Sequence, residues 1–175
     1  AGARPSEVVA MNTLTTNLHL MMVSFYRPIG ERRKILIEAR AFPSDRHAVA
    51  SQIRFHGGDP ATDLIELAPR PGAHTIDIEQ ISETLQREGE RIALILWPGV
   101  QYASGQRFDL KAIAELGRAH GCAVGFDLAH AIGNVPVDLH DSGAGFAVWG
   151  SYKYLNSGPG AIAGCFVHER HARAD

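Results

Sequence analysis

Short apolar runs alternate with amphipathic stretches along almost the whole chain, and this rhythm narrows the possible folds more than any other feature. The runs are KILIE (34–38), DLIELAP (63–69), RIALILW (91–97), CAVGFD (122–127), FAVWG (146–150) and AIAGCFV (161–167). Each is short, apolar and bounded by polar residues, as a buried strand is. Between them lie helical patterns. Leu14, Leu18, Met21, Met22 and Phe25 recur at helical spacing from a start near Thr13 to Thr15, until YRPIG breaks the pattern. Ser44 and Asp45 offer cap chemistry for a helix through about Ile53. Asp77 and Gln80 resemble a capping box before Ile78, Ile81 and Leu85, and Asp109 caps a helix carrying Leu110, Ile113 and Ala114 that ends at Gly121. Buried strands alternating with helices predict a three-layer α/β/α domain around a mostly parallel sheet. No repeat or linker divides residues 1–175.

Composition closes off other classes. With 45% hydrophobic and 21% charged residues, the 175-residue chain can bury a real core. Its net charge of -2 comes from intermixed residues, so neither nucleic acid nor an anionic membrane is an expected partner. Cys122 and Cys165 lie in apolar runs without metal-ligand spacing, which suits buried thiols in a reducing compartment. No stretch reaches the length of a membrane helix, and AGARPSEVV lacks the apolar run of a secretory signal; a soluble, cytoplasmic protein is expected. The missing initiator methionine and the ending HERHARAD lead to the expectation that the chain is a piece of a longer one, cut at both ends.

In parallel sheets ligands bind beyond the carboxyl ends of the strands. Those loops are AFPSD, PGVQYASG, LAHAIGN and SYKYLNSG. Of the three lysines, Lys34 and Lys111 read as solvated surface charges. Lys153, between Tyr152 and Tyr154 and before the turn NSGPG, reads either as an ordinary loop lysine or as a desolvated amine available for a Schiff base. Asp127, ending a central strand, needs N–H groups or a cation. A pyridinium nitrogen would serve, and pyridoxal phosphate requires both a lysine for its aldehyde and an acid for its ring nitrogen. His130 either meets the ring or Asp127, or satisfies loop backbone. Asp127 and His130 are only two ligands, so no metal site is expected. Threonines at the start of the first helix, Thr13 and Thr15, are either plain caps or part of a phosphate cradle. Phe42 either covers a planar ring or packs in the core.

Together, FDLAHAIGN, SYKYLNSGPGAIAGCFVHE, NLHLMM and FPSD resemble the kynureninase family of pyridoxal-phosphate enzymes, in order and along nearly the whole chain. The resemblance implies the fold type I (aspartate aminotransferase) large domain. It implies that Lys153 holds the cofactor aldehyde, that Asp127 pairs with the pyridine nitrogen and that His130 lies close by. Phe42 would stack on the ring, with Pro43, Ser44 and Asp45 in the same cofactor loop; Leu14 and Thr15 would bind phosphate, and Tyr152 would reach it through its hydroxyl. Lys153, Tyr152 and Asp127 form the implied catalytic set. The implied reaction is hydrolysis of L-kynurenine or its 3-hydroxy form to anthranilate or 3-hydroxyanthranilate and L-alanine, a carbon–carbon bond hydrolysis of tryptophan catabolism. Pro98 departs from family members that have a small polar residue there, because proline offers neither hydroxyl nor N–H. The family also implies a homodimer and a C-terminal small domain, with a substrate-binding arginine, that this chain lacks. The alternatives are a cysteine desulfurase-like lyase, another class V aminotransferase, or a catalytically silent fragment that binds a cofactor or partner.

Overall fold

The computed structural model describes residues 1–172. Its centre is a seven-stranded sheet whose strands, in chain order, are β1 (Val8–Ala10), β2 (Lys34–Glu38), β3 (Leu64–Leu67), β4 (Ile92–Pro98), β5 (Ala123–Asp127), β6 (Phe146–Trp149) and β7 (Gly164–Val167). In space they run β1-β7-β6-β5-β4-β2-β3. The five from β3 to β6 are parallel; at one edge β7 runs antiparallel to them, and β1, antiparallel to β7, points the same way as the five. The edge strand β1 escapes the sequence reading because three residues, all exposed, carry no periodic signal.

The helices are α1 (Leu14–Phe25), α2 (Pro43–Phe55), α3 (Pro60–Asp63), α4 (Ile78–Glu88), α5 (Leu110–Ala119) and α6 (Leu139–Ser142). Both faces of the sheet are covered, which is why its strands read as unbroken apolar runs rather than alternating ones. On one face Leu36, Ile95, Trp97 and Phe126 pack against Ile81 and Leu85 of α4 and Ile113 and Ala114 of α5. On the other, Ile35, Ile37, Leu94 and Val148 meet Leu18 and Met22 of α1 and Val49 and Ile53 of α2. The three-layer α/β architecture is therefore present.

Most caps follow the sequence. Thr13, Asp77 and Asp109 accept backbone N–H groups of their helices, and Asp77 with Gln80 forms the reciprocal capping box. One does not. The cap position of α2 is Phe42, which makes no side-chain cap bond, and not Ser44 or Asp45. Pro43, with φ preset for the first helical position, starts the helix earlier and draws both polar residues into its first turn. That shift matters below, because it leaves Asp45 free to face inward.

Candidate active site

Chain order reverses direction in the sheet between β2 and β4: β3 lies outside β2, whereas β5 and β6 continue away from β4. Such a reversal leaves a crevice beyond the carboxyl ends of the strands. A cavity of ≈ 270 Å³ lies there, lined by Leu14, Thr15, Phe42, Ser44, Asp45, Asp127, His130, Tyr152 and Lys153. Nine of the ten residues selected from the sequence thus meet in one place. The tenth, Pro43, is not in the lining and acts as the first residue of α2. Pro98 is in the lining and presents only its ring.

Two loops bring Lys153 and His130 together. Nζ of Lys153 donates to Nε2 of His130 at 2.9 Å. Burial, and then the neighbouring lysine, lower the His130 pKa, so the ring is neutral and carries its proton on Nδ1. The loops also touch at Gly133, whose φ is +76° and whose missing side chain makes room for the Tyr154 carbonyl: an added Cβ would lie 2.9 Å from that oxygen. Aromatic rings surround the amine. Lys153 Nζ is 5.4 Å from the centre of Phe42 and 5.9 Å from that of Tyr152, and Tyr102 meets Phe42 edge-on at 5.3 Å. Phe42 is 44% exposed, so one face of its ring is available rather than committed to the core.

The opposite side of the cavity is acidic. Asp127 ends β5 and accepts the Ala129 N–H at 2.7 Å. Asp45 reaches it from the first turn of α2; burial above all, and then the charge of Asp127 and a hydrogen bond to it, push the Asp45 carboxyl far up, so Asp45 holds its proton. Glu38, at the end of β2, is 4% exposed and is pushed up to about 8 by burial, with Asp127 adding to the effect. Among the described residues, no lysine or arginine is paired with any of the three. The third feature is the start of α1. Its first N–H groups, at Leu14 and Thr15, have no intrahelical acceptor and border the cavity. Their position is fixed from behind: the Met11 N–H donates to the Ala163 carbonyl at 2.9 Å, the Ala163 N–H to that of Asn12 at 3.0 Å, and Asn17 Nδ2 to that of Met11 at 2.9 Å.

These features fit pyridoxal phosphate. An uncompensated carboxylate would face a ring cation, Phe42 a planar ring, Lys153 an aldehyde and the start of α1 a phosphate. Sequence reasoning passed over two titratable residues in the lining. Glu38 ends its strand as Asp127 does, and the same question, where its charge goes, would have found it. Tyr102 lies in a loop already selected, but nothing in its neighbours distinguishes it from Tyr154.

Comparison with known proteins gives the family. The model of a family described as aminotransferase class-V matches residues 1–170. A kynureninase of Xanthomonas campestris pv. campestris (strain 8004) is 64% identical over 174 residues, which are 99% of this chain and 41% of that protein. One from Xanthomonas oryzae pv. oryzae (strain PXO99A) is 63% identical over the same share of each. A solved apo cysteine desulfurase from Thermococcus onnurineus NA1 has a TM-score of 0.79 at 17% identity, covering 97% of this chain and 40% of that one, a likeness of fold. The chain spans well under half the length of the curated relatives it matches.

Proposed function

We propose, since the chain belongs to the aminotransferase class-V family, that residues 1–175 are the cofactor-binding large domain of a pyridoxal-phosphate-dependent kynureninase. The activity is hydrolysis of the Cβ–Cγ bond of L-kynurenine, or of its 3-hydroxy form, to the aryl acid and L-alanine, in a cytoplasmic homodimer. The observation that carries this reading is the convergence of Lys153, Asp127, Phe42 and the start of α1 on one cavity. The likeness to the Xanthomonas kynureninases supports L-kynurenine as the substrate among the reactions such a site can run.

When bound, pyridoxal phosphate supplies an electron sink for charge developing at the α-carbon of the substrate. Lys153 would hold its aldehyde and Asp127 its ring nitrogen. Phe42 would lie on the ring, and the N–H groups of Leu14 and Thr15 would take the phosphate. Lys153 Nζ, oriented by neutral His130, is the base that takes and returns the α-proton; the Tyr152 hydroxyl is placed to serve the phosphate or to pass a second proton. Pro98, beside Asp127 in the sheet, offers the cofactor neither a hydroxyl nor an N–H.

The test is turnover of L-kynurenine by the full-length protein, followed by the fluorescence of anthranilate, with the visible absorbance of the lysine-bound cofactor as a second readout. Lys153→Ala is expected to lose the absorbance band and at least ~10³-fold in turnover. Turnover of L-cysteine with none of L-kynurenine would overturn the reading.

A further inference from the structure

Glu38 is a buried carboxyl of the site to which the reading above gives no part. It ends β2 beside β4, and two residues beyond the Leu36–Ile95 register pair it stands next to Trp97 on the same face of the sheet. Trp97 is fully buried, and among the described residues its indole Nε1–H has no acceptor. Among the described residues, adjacent strands therefore carry a donor without an acceptor and a carboxyl with no hydrogen-bond partner outside its own residue. Glu38 also forms the wall between the cofactor cavity and a second groove of ≈ 780 Å³, lined by Arg40, His74, Gln101 and Gln106 among others. The titratable groups facing it are Asp45 from α2, Asp127 from β5, and Arg40 and His74 along the groove; Lys153 and His130 stand across the cavity.

We propose that Glu38 is a positioning residue that exchanges one proton with solvent through the second groove whenever a cationic ring enters or leaves the cavity. The inference rests on the pyridoxal-phosphate reading. Without a cation, ionising Glu38 would set a second negative charge beside Asp127 in a poorly solvated site, so the carboxyl stays neutral. A protonated ring nitrogen against Asp127 removes that repulsion. The O–H bond of Glu38 then breaks, its proton leaves through the groove to water, and the carboxylate accepts the waiting Trp97 Nε1–H. No electrons move. Asp45 does not take this part, because its proton is held in the bond to Asp127. One negative charge remains on the site in both states, and the ring nitrogen gains a second carboxylate that keeps it protonated.

Calorimetric titration of the cofactor-free full-length protein with pyridoxal phosphate, in two buffers of different ionisation enthalpy, counts the protons released on binding. At pH 7 the Glu38→Gln variant is expected to release fewer than the native protein by about one per cofactor, a gap that closes once the pH passes well above about 8. Binding with an unchanged proton count would overturn the proposal and leave the cofactor reading intact. A native protein that binds no pyridoxal phosphate would overturn both. Should Glu38→Gln not fold, Trp97→Phe carries the test: without the indole donor the pH midpoint of the release rises by about one unit, and an unmoved midpoint overturns the proposal.

Discussion

Glu7 and Glu38 are 3% and 4% exposed, yet the first is lowered to about 2 and the second raised to about 8. Burial pushes both upward. At Glu7 it is outweighed by the N–H groups of Glu169 and Arg4, at 2.9 and 2.8 Å, and by Nδ1 of His140 at 2.9 Å. These donors come from the N-terminal segment, from α6 and from the stretch after β7, so the carboxylate clamps three separate parts of the chain where the parallel strands begin. Glu38 lies at the other end of the sheet, where the strands finish, and no comparable donors reach it. Equal exposure therefore does not set the charge of a carboxyl: Glu7 sits just beneath the surface with N–H groups at hand, whereas Glu38 lies deeper in the fold, where burial dominates and such groups are lacking.

Substitutions can break this contrast. Asp127→Asn has the largest expected effect, because it removes the carboxylate that would pair with the ring nitrogen: cofactor affinity of the full-length protein falls at least ~100-fold, as absorbance titration would measure. Retained affinity would mean that Glu38 or Asp45 can replace it. Next comes Glu7→Ala, which strands two backbone N–H groups and His140. Stability in urea is expected to fall by about 3 kcal/mol with the slope unchanged, and a loss below ~1 kcal/mol would show that the clamp holds little. In the native protein the contribution of Glu7 is full above pH 4.5 and is lost as the pH falls toward about 2, since its folded pKa lies below its unfolded one.

The smallest effect has the opposite sign. With its folded pKa raised, Glu38 contributes stability that is full below pH 4.5 and is lost as the pH rises through about 8. In the cofactor-free protein Glu38→Gln is therefore neutral near pH 5 and more stable than native by about 2 kcal/mol at pH 9. Urea midpoints at the two pH values check it. A variant that is equally destabilised at both would place Glu38 with Glu7, as a structural acceptor.

What could be read in the sequence follows from the range of the interactions concerned. Local ones were legible: the Asp77–Gln80 capping box, the Thr13 cap and the apolar runs all form within a few residues of chain. So were Asp127 and Lys153, because each sits at a strand end and lacks an obvious partner. The shift of the α2 cap to Phe42 was hidden by a favourable-looking Ser44-Asp45 pair that Pro43 pre-empts. The short edge strand β1 and the Glu7 clamp depend on partners at the far end of the chain, Gly164 to Phe166 and Glu169, and no local pattern announces such pairs. Glu38 could have been found, since the argument used for Asp127 applies to it unchanged.

The edge pairing also sets an order of assembly. Among the described strands, β1 pairs only with β7, and through Met11, Asn12 and Ala163 the start of α1 is fastened to the segment that leads into β7. A ribosome emitting this chain delivers the start of α1 well before the segment that fastens it, and Lys153 also emerges before that segment. On the pyridoxal-phosphate reading, the seating of a phosphorylated ligand thus waits for residues 161–167, which makes ligand retention a report that β7 has docked.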